Sequence, residues 1–298
     1  MDVGFIGLGR MGLPMAGHIQ KHATGGRLIL LDRFPDRLAD LVSGGAELAA
    51  NPREVAADSD LIILMVPAIG DIEALLDGPD GLLAGLRKPL ILVVSSTTSA
   101  KDVRDLQARL DDQPHPVTVV DAPVSGGVEG AEAGALSIMI GGPDEAAATA
   151  VAVMSATGTA VHLGPLGAGQ VAKACNQLIV AAEVVAVAEA SLLAERAGLD
   201  VGRLFDLLST GYAGSRIMEV KGPKFVNHDH TAAGPAKFLI KDLKAVIEEA
   251  DVSGLRLVTA EPLLAAYTAL TEAGLGDEDA SVVQQWIEDA SASETANG

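Results

Sequence analysis

The chain has 298 residues, 49% of them hydrophobic but only 3% aromatic, and a formal net charge of -19. That length favours two domains, with cores built from Ala, Val, Leu and Ile. So acidic a surface argues against nucleic acid and anionic membranes as partners, and an anionic substrate would need a locally positive site. The single cysteine, Cys175, leaves no internal disulfide framework and suits a cytoplasmic protein. The N-terminus reads as a short strand, without the basic and apolar regions of a secretory signal.

In chain order, residues 3–6, 28–31, 61–66, 91–94 and 117–120 read as buried strands, with helical patterns at 11–21 and 35–43 between the early ones. This alternation predicts a doubly wound, mostly parallel α/β sheet. Residues 136–140 and 160–162 read as its last strands. After Gly164 the strand signals stop. A helical pattern runs from about Ala168 to Arg196, where Gly198 can end it; such a helix is about 45 Å long. Its apolar stretch, 178–194, is interrupted by Glu183 and Glu189 and reads as a buried helix, not a membrane span. Helical patterns at 201–208, 237–250, 260–273 and 279–290 follow, and the small polar tail 291–298 is expected to fray. Two domains are therefore expected: an α/β domain over 1–164, and an all-α domain over 165–298 that opens on the long interdomain helix.

The first strand runs into Gly7-Leu8-Gly9-Arg10-Met11-Gly12. A lone G-x-G-x-x-G is weak, but here it follows a strand, opens a helix and begins the first βαβ unit, which is the dinucleotide-binding (Rossmann) context. Gly7 permits the tight turn, Gly9 lets a pyrophosphate approach the backbone, and Gly12 lets helix and strand pack closely. The phosphates then face free N–H groups at a helix N-terminus. Gly7, Leu8, Gly9, Met11 and Gly12 are candidate cofactor residues. Asp32 follows the second strand at the spacing of the carboxylate that holds the adenosine ribose, which favours NAD; Arg33 beside it leaves NADP possible. Met65, Val66 and Pro67 after the third strand, and Ser96 and Thr97 after the fourth, stand where ligands bind in open α/β sheets. Each of these two segments reads equally well as a plain strand-end turn.

Residues 121–127 read Asp-Ala-Pro-Val-Ser-Gly-Gly, a turn able to offer a hydroxyl and N–H groups to a carboxylate, or an ordinary loop. Residues 164–176 open the long helix, with Lys173 and Asn176 at i and i+3 on one face. Gly169 and Ala172 are expected to leave room there for a ligand, and Cys175 to be a packing residue. Taken alone, Lys173 reads as a lysine snorkelling to solvent. A hydride cofactor in the same chain tips the reading towards acid–base work. No metal site is expected: residues 227–230, Asn-His-Asp-His, read as a polar loop.

In these residues the chain resembles the β-hydroxyacid dehydrogenase family, over nearly its whole length and with four motifs in order: 4–16, 121–127, 167–176 and Lys241-Asp242-Leu243. The resemblance implies that Ser125 and Gly126, with Gly127, bind the substrate carboxylate. It implies that Lys173 is the acid–base, that Asn176 orients the substrate, that Lys241 lies near the nicotinamide, and that the protein is a homodimer or homotetramer. The sequence departs from the family at Gly234, where a phenylalanine is common, and at Arg216, where an aromatic residue commonly follows the serine matching Ser215. These departures put the substrate's identity in doubt. Arg216 could serve a second anionic group or lie at the surface.

The expected reaction is reversible oxidation of a 3-hydroxy acid to its semialdehyde. A lysine acting as base near neutral pH must titrate well below its usual value of about 10.4. Desolvation and the charge of oxidised nicotinamide both act in that direction. The alternatives are an imine reductase on the same scaffold, whose relatives typically lack the lysine, and a catalytically silent dinucleotide-binding sensor module.

Overall fold

The computed structural model describes residues 1–22, 25–231 and 234–297. It divides into two compact units, Met1–Lys173 and Ala174–Gly298, and the division falls within one helix, directly after Lys173.

The first unit carries a nine-stranded sheet: β1 (Val3–Ile6), β2 (Leu28–Leu31), β3 (Glu47–Leu48), β4 (Leu61–Leu64), β5 (Leu90–Val94), β6 (Val117–Asp121), β7 (Val124–Ser125), β8 (Leu136–Gly141) and β9 (Gly158–Gly164). The spatial order is β3-β2-β1-β4-β5-β6-β8-β7, and β9 also pairs with β8. The first six strands are parallel, β8 runs antiparallel to β6 and β7, and β9 is parallel to β8. The chain winds outward from β1 in both directions, so the sheet's switch point lies between β1 and β4, where ligands of doubly wound folds sit. Alternate strand residues feed two cores. Phe5, Leu30, Ile63 and Val93 pack with Met15 and Ile19 of the first helix (Gly12–His22) on one face; Ile6, Ile29, Ile62 and Leu92 pack with Val55, Ile72 and Val103 on the other. Both faces are covered, which is why these strands are aliphatic throughout.

The second unit is helical, around a core that includes Val184, Ala188, Phe205, Phe225, Tyr267 and Leu270. Its elements include Val201–Leu208, Phe238–Val252, Ala260–Leu270 and Val283–Asn297.

Several expectations need correction. The strand expected at 61–66 stops at Leu64, because the Val66 N–H goes to the Ser96 hydroxyl and Pro67 has no N–H. The helix expected at 35–43 breaks into a 3-10 turn, Pro35–Leu38, and a short helix, Ala39–Ser43; Phe34 supplies no side-chain cap. Helix Arg216–Asn227, which contains Pro223, was not among the expected segments; Ser215 Oγ caps it by accepting from Met218 N at 3.2 Å. The last helix, expected to end at 290, continues to Asn297, and Gly298 lies outside the described residues.

The long helix, Ala168–Arg196, is apolar and long enough to cross a membrane by length and composition alone (mean hydropathy 1.8), yet only 39% of that apolar window is buried inside the structure. It is therefore less enclosed than the sequence suggests. Cys175, Ile179, Ala186, Glu189 and Leu193 are exposed along it, and Ala182 is half-buried. Their 4-3-4-3-4 spacing places them along one face of the helix. Cys175 is thus on an open face, not packed within the chain.

Candidate active site

The glycine loop has the geometry that its sequence implies. Gly7 has φ +93°, and a Cβ there would lie 2.4 Å from the Met65 carbonyl oxygen; a Cβ on Gly12 would lie 2.1 Å from the Gly7 oxygen. Around Gly9 no heavy atom lies within 4 Å of where a Cβ would stand. Gly7 and Gly12 are therefore required by the fold, whereas Gly9 leaves an open cradle at the start of the helix Gly12–His22, whose first N–H groups have no intrahelical partner. That pattern fits a pyrophosphate. Leu8 N donates to Asp32 Oδ2 at 2.7 Å and Phe34 N to Asp32 Oδ1 at 2.8 Å, so the carboxylate is held at the end of β2 against the loop. Each of its oxygens retains capacity to accept a ribose hydroxyl. Arg33 is exposed, and Arg37 stacks on Phe34 with 4.7 Å from guanidinium to ring centroid.

A cleft of about 410 Å³ is lined by Gly9, Arg10, Leu13, Pro14, Val128 and Glu132. It joins the glycine loop to the helix Gly127–Ala133, which begins directly after Ser125 and Gly126. Gly126 and Gly127 adopt φ +134° and +67°, conformations that explain the glycine pair. Ser125 ends β7 half-buried.

At the ends of β4 and β5, Met65 and Val66 are half-buried and Pro67 is exposed, while Ser96 is buried and Thr97 half-buried. Ser96 Oγ accepts from Val66 N at 3.1 Å, which ties the two strand ends together.

Asp121 closes β6 fully buried. Its Oδ1 accepts from Gly167 N and its Oδ2 from Gln170 N, both at 2.7 Å, so it caps the helix Ala168–Arg196. Burial pushes this carboxyl up to about 6, against the N–H donors of Gly167 and Gln170, which pull it down. Asp121 is therefore a structural anchor at the head of the motif expected to bind substrate. Gln170 is 2% exposed and spans to the β5 loop: its Nε2 donates to Ser96 O at 2.9 Å, and Thr98 N donates to its Oε1 at 3.1 Å. One turn on stands Lys173, only 8% exposed. Gly169 does not make room for a ligand: a Cβ there would lie 2.2 Å from the Met139 oxygen and 2.8 Å from Asp121 Oδ2, so it allows the helix to press against β8.

In the second unit, Asn176 Nδ2 donates to Gln177 Oε1 at 2.9 Å, and Gln177 Nε2 donates to Asp242 Oδ2. Asp242 is 7% exposed, and its Oδ1 lies 4.0 Å from Lys241 Nζ. Asn176 and Lys241 thus belong to one polar cluster with Asp242 of the fourth motif and with Gln177, which no sequence motif pointed to. Arg216 is exposed and paired to Glu219 at 2.8 Å, and among the described residues nothing beyond its chain neighbours lies within 4 Å of a Cβ placed on Gly234. His228 lies 3.0 Å from Glu195, whereas His230 is buried against Ser281 Oγ at 3.0 Å, so only part of 227–230 is a polar loop. No group of three or more His, Cys, Asp or Glu residues able to hold a metal occurs among the described residues.

The family described as the NAD binding domain of 6-phosphogluconate dehydrogenase matches residues 2–165, and that described as NAD-binding of NADP-dependent 3-hydroxyisobutyrate dehydrogenase matches 167–287. A probable mitochondrial 3-hydroxyisobutyrate dehydrogenase of Dictyostelium discoideum is 33% identical over 293 residues, covering 96% of this chain and 90% of that protein. An NAD-dependent L-serine dehydrogenase of Pseudomonas aeruginosa is 33% identical over 95% of this chain and 97% of its own length. The solved 3-hydroxyisobutyrate dehydrogenase of Salmonella typhimurium superposes with a TM-score of 0.83 at 29% identity, covering 96% of this chain and 99% of that one. Matched by nicotinamide-cofactor families in both halves and by relatives along nearly its whole length, the chain belongs to the β-hydroxyacid dehydrogenase family of nicotinamide-dependent oxidoreductases.

Proposed function

We propose that this chain interconverts a 3-hydroxy carboxylic acid and its semialdehyde, with NAD preferred over NADP and Lys173 moving the proton. The observation that carries the reading is the burial of Lys173 one turn into a helix whose first turn is bonded to the ends of β5 and β6. An ammonium is rarely buried without a purpose. Gly7, Leu8, Gly9, Met11, Gly12 and Asp32 would hold the dinucleotide, with Met65, Val66, Pro67, Ser96 and Thr97 at its nicotinamide side. The bound nicotinamide supplies hydride acceptance in oxidation and donation in reduction. Ser125, Gly126 and Gly127 hold the substrate carboxylate, and Asn176 orients the reacting end. Lys173 Nζ takes the hydroxyl proton in oxidation and returns it in reduction.

NAD preference rests on Asp32, whose fixed carboxylate would repel a 2′-phosphate. The exposed seam of the long helix supports a homodimer, and the free Cys175 suits a reducing compartment such as the cytoplasm.

The test is turnover of a panel of 3-hydroxy acids, L-serine and 3-hydroxyisobutyrate among them, with NAD and with NADP. NAD-linked oxidation of at least one is expected. Reduction of cyclic imines without any hydroxy acid turnover would instead identify an imine reductase. Dinucleotide binding with no turnover at all would identify a silent module.

A further inference from the structure

Gln170 is bonded through its main-chain N–H and through both ends of its side-chain amide. Its main-chain N–H donates to Asp121 Oδ2 at 2.7 Å, its Nε2 to Ser96 O at 2.9 Å, and its Oε1 accepts from Thr98 N at 3.1 Å. The side chain is 2% exposed. Ser96 is in turn bonded to Val66 N. One residue therefore links the ends of β4, β5 and β6 to the first turn of the long helix. Lys173 follows three positions later, on the same face of that helix.

We propose that Gln170 is a positioning residue, which holds Lys173 in register with the loop that lines the nicotinamide side. The inference rests on the reading of Lys173 as the proton-transfer group. An amide suits the task because the loop presents one carbonyl and one N–H, so donor and acceptor must both be present at the correct ends. A methionine fills the same space and makes neither bond. An ionised glutamate sets an oxygen against the Ser96 oxygen. A protonated glutamate restores both bonds, because its O–H donates where the amide nitrogen did. Burial beside a carbonyl favours that protonated form. A displacement of about 1 Å in a catalytic group can cost roughly 100-fold in rate.

The experiment compares wild type, Gln170→Met, Gln170→Glu and Lys173→Ala, all at a temperature where circular dichroism shows each fully folded. Gln170→Met is expected to lower kcat about 10- to 100-fold and raise the primary deuterium isotope effect from substrate labelled at the carbinol carbon, with the NAD dissociation constant nearly unchanged. For Gln170→Glu, kcat relative to wild type is expected to climb as pH is lowered from 8 towards 5, which a purely structural role would not produce. If Lys173→Ala is inactive while the Gln170 variants keep wild-type kcat and isotope effect, or if the Gln170→Glu ratio is flat with pH, the positioning role is overturned. If Lys173→Ala keeps near wild-type turnover, the reading of Lys173 fails, and the positioning role with it. Should Gln170→Met not fold, the Gln170→Glu ratio decides alone.

Discussion

Asp121→Asn isolates the electrostatics that anchor the long helix. The wild-type carboxyl is fully buried, and burial raises it from the ordinary 3.8 to about 6. Its protonated form is thus the better tenant of the folded state. Between pH 4 and pH 6 the unfolded chain gives up this proton before the folded one does, so the carboxyl's contribution to stability is fully present below 3.8 and lost as pH rises through about 6. At about 1.4 kcal/mol per pH unit, the gap between 3.8 and about 6 amounts to about 3 kcal/mol. Asparagine resembles the neutral acid, with one acceptor and one donor, and does not titrate. Urea unfolding of both proteins from pH 4 to pH 7.5, in dilute solution because the pI is near 4.5, gives the difference directly. Wild-type stability minus that of Asp121→Asn should fall by about 2 kcal/mol across pH 4–6.5, most of the full contribution, and then level off. A difference that rises with pH would refute the reasoning. It would mean that the N–H donors of Gly167 and Gln170 outweigh burial and depress the carboxyl instead.

Lys173→Ala should lower turnover about 100- to 10,000-fold while a fluorescence titration shows NAD binding nearly intact, and Lys173→Arg should not restore activity, because guanidinium does not deprotonate. Asp32→Ser should raise kcat/KM with NADP relative to NAD; a wild type already specific for NADP would show that Arg33 dominates instead. The seam of Cys175, Ile179, Ala182, Ala186, Glu189 and Leu193 predicts a dimer in sedimentation at micromolar concentration, and Ile179→Asp with Leu193→Asp should shift it towards monomer. A clean wild-type monomer would sink that expectation.

The repeating elements and the cofactor loop were legible in the sequence, because their signals are local. Strands buried on both faces are aliphatic runs, and β1 and β2 fall where their residues place them. The glycine loop needs only a strand before it and a helix after it, and the long helix is readable from end to end. The resemblance to a known family named Lys173, Ser125 and Asn176 without stating what holds them. Their supports were decided by tertiary structure alone. Asp121 meets Gln170 across 49 positions, Gln170 meets Ser96 across 74, and Gln177 meets Asp242 across 65. A buried Asp, Gln or Gly has the same composition whether it faces a ligand or a strand end. Gly169 shows this most plainly: its missing side chain could equally have made way for a ligand, and only the approach of the Met139 carbonyl reveals that it makes way for β8. Local periodicity records which face of an element is apolar; the partners of buried polar groups depend on loop closures distributed over the whole domain.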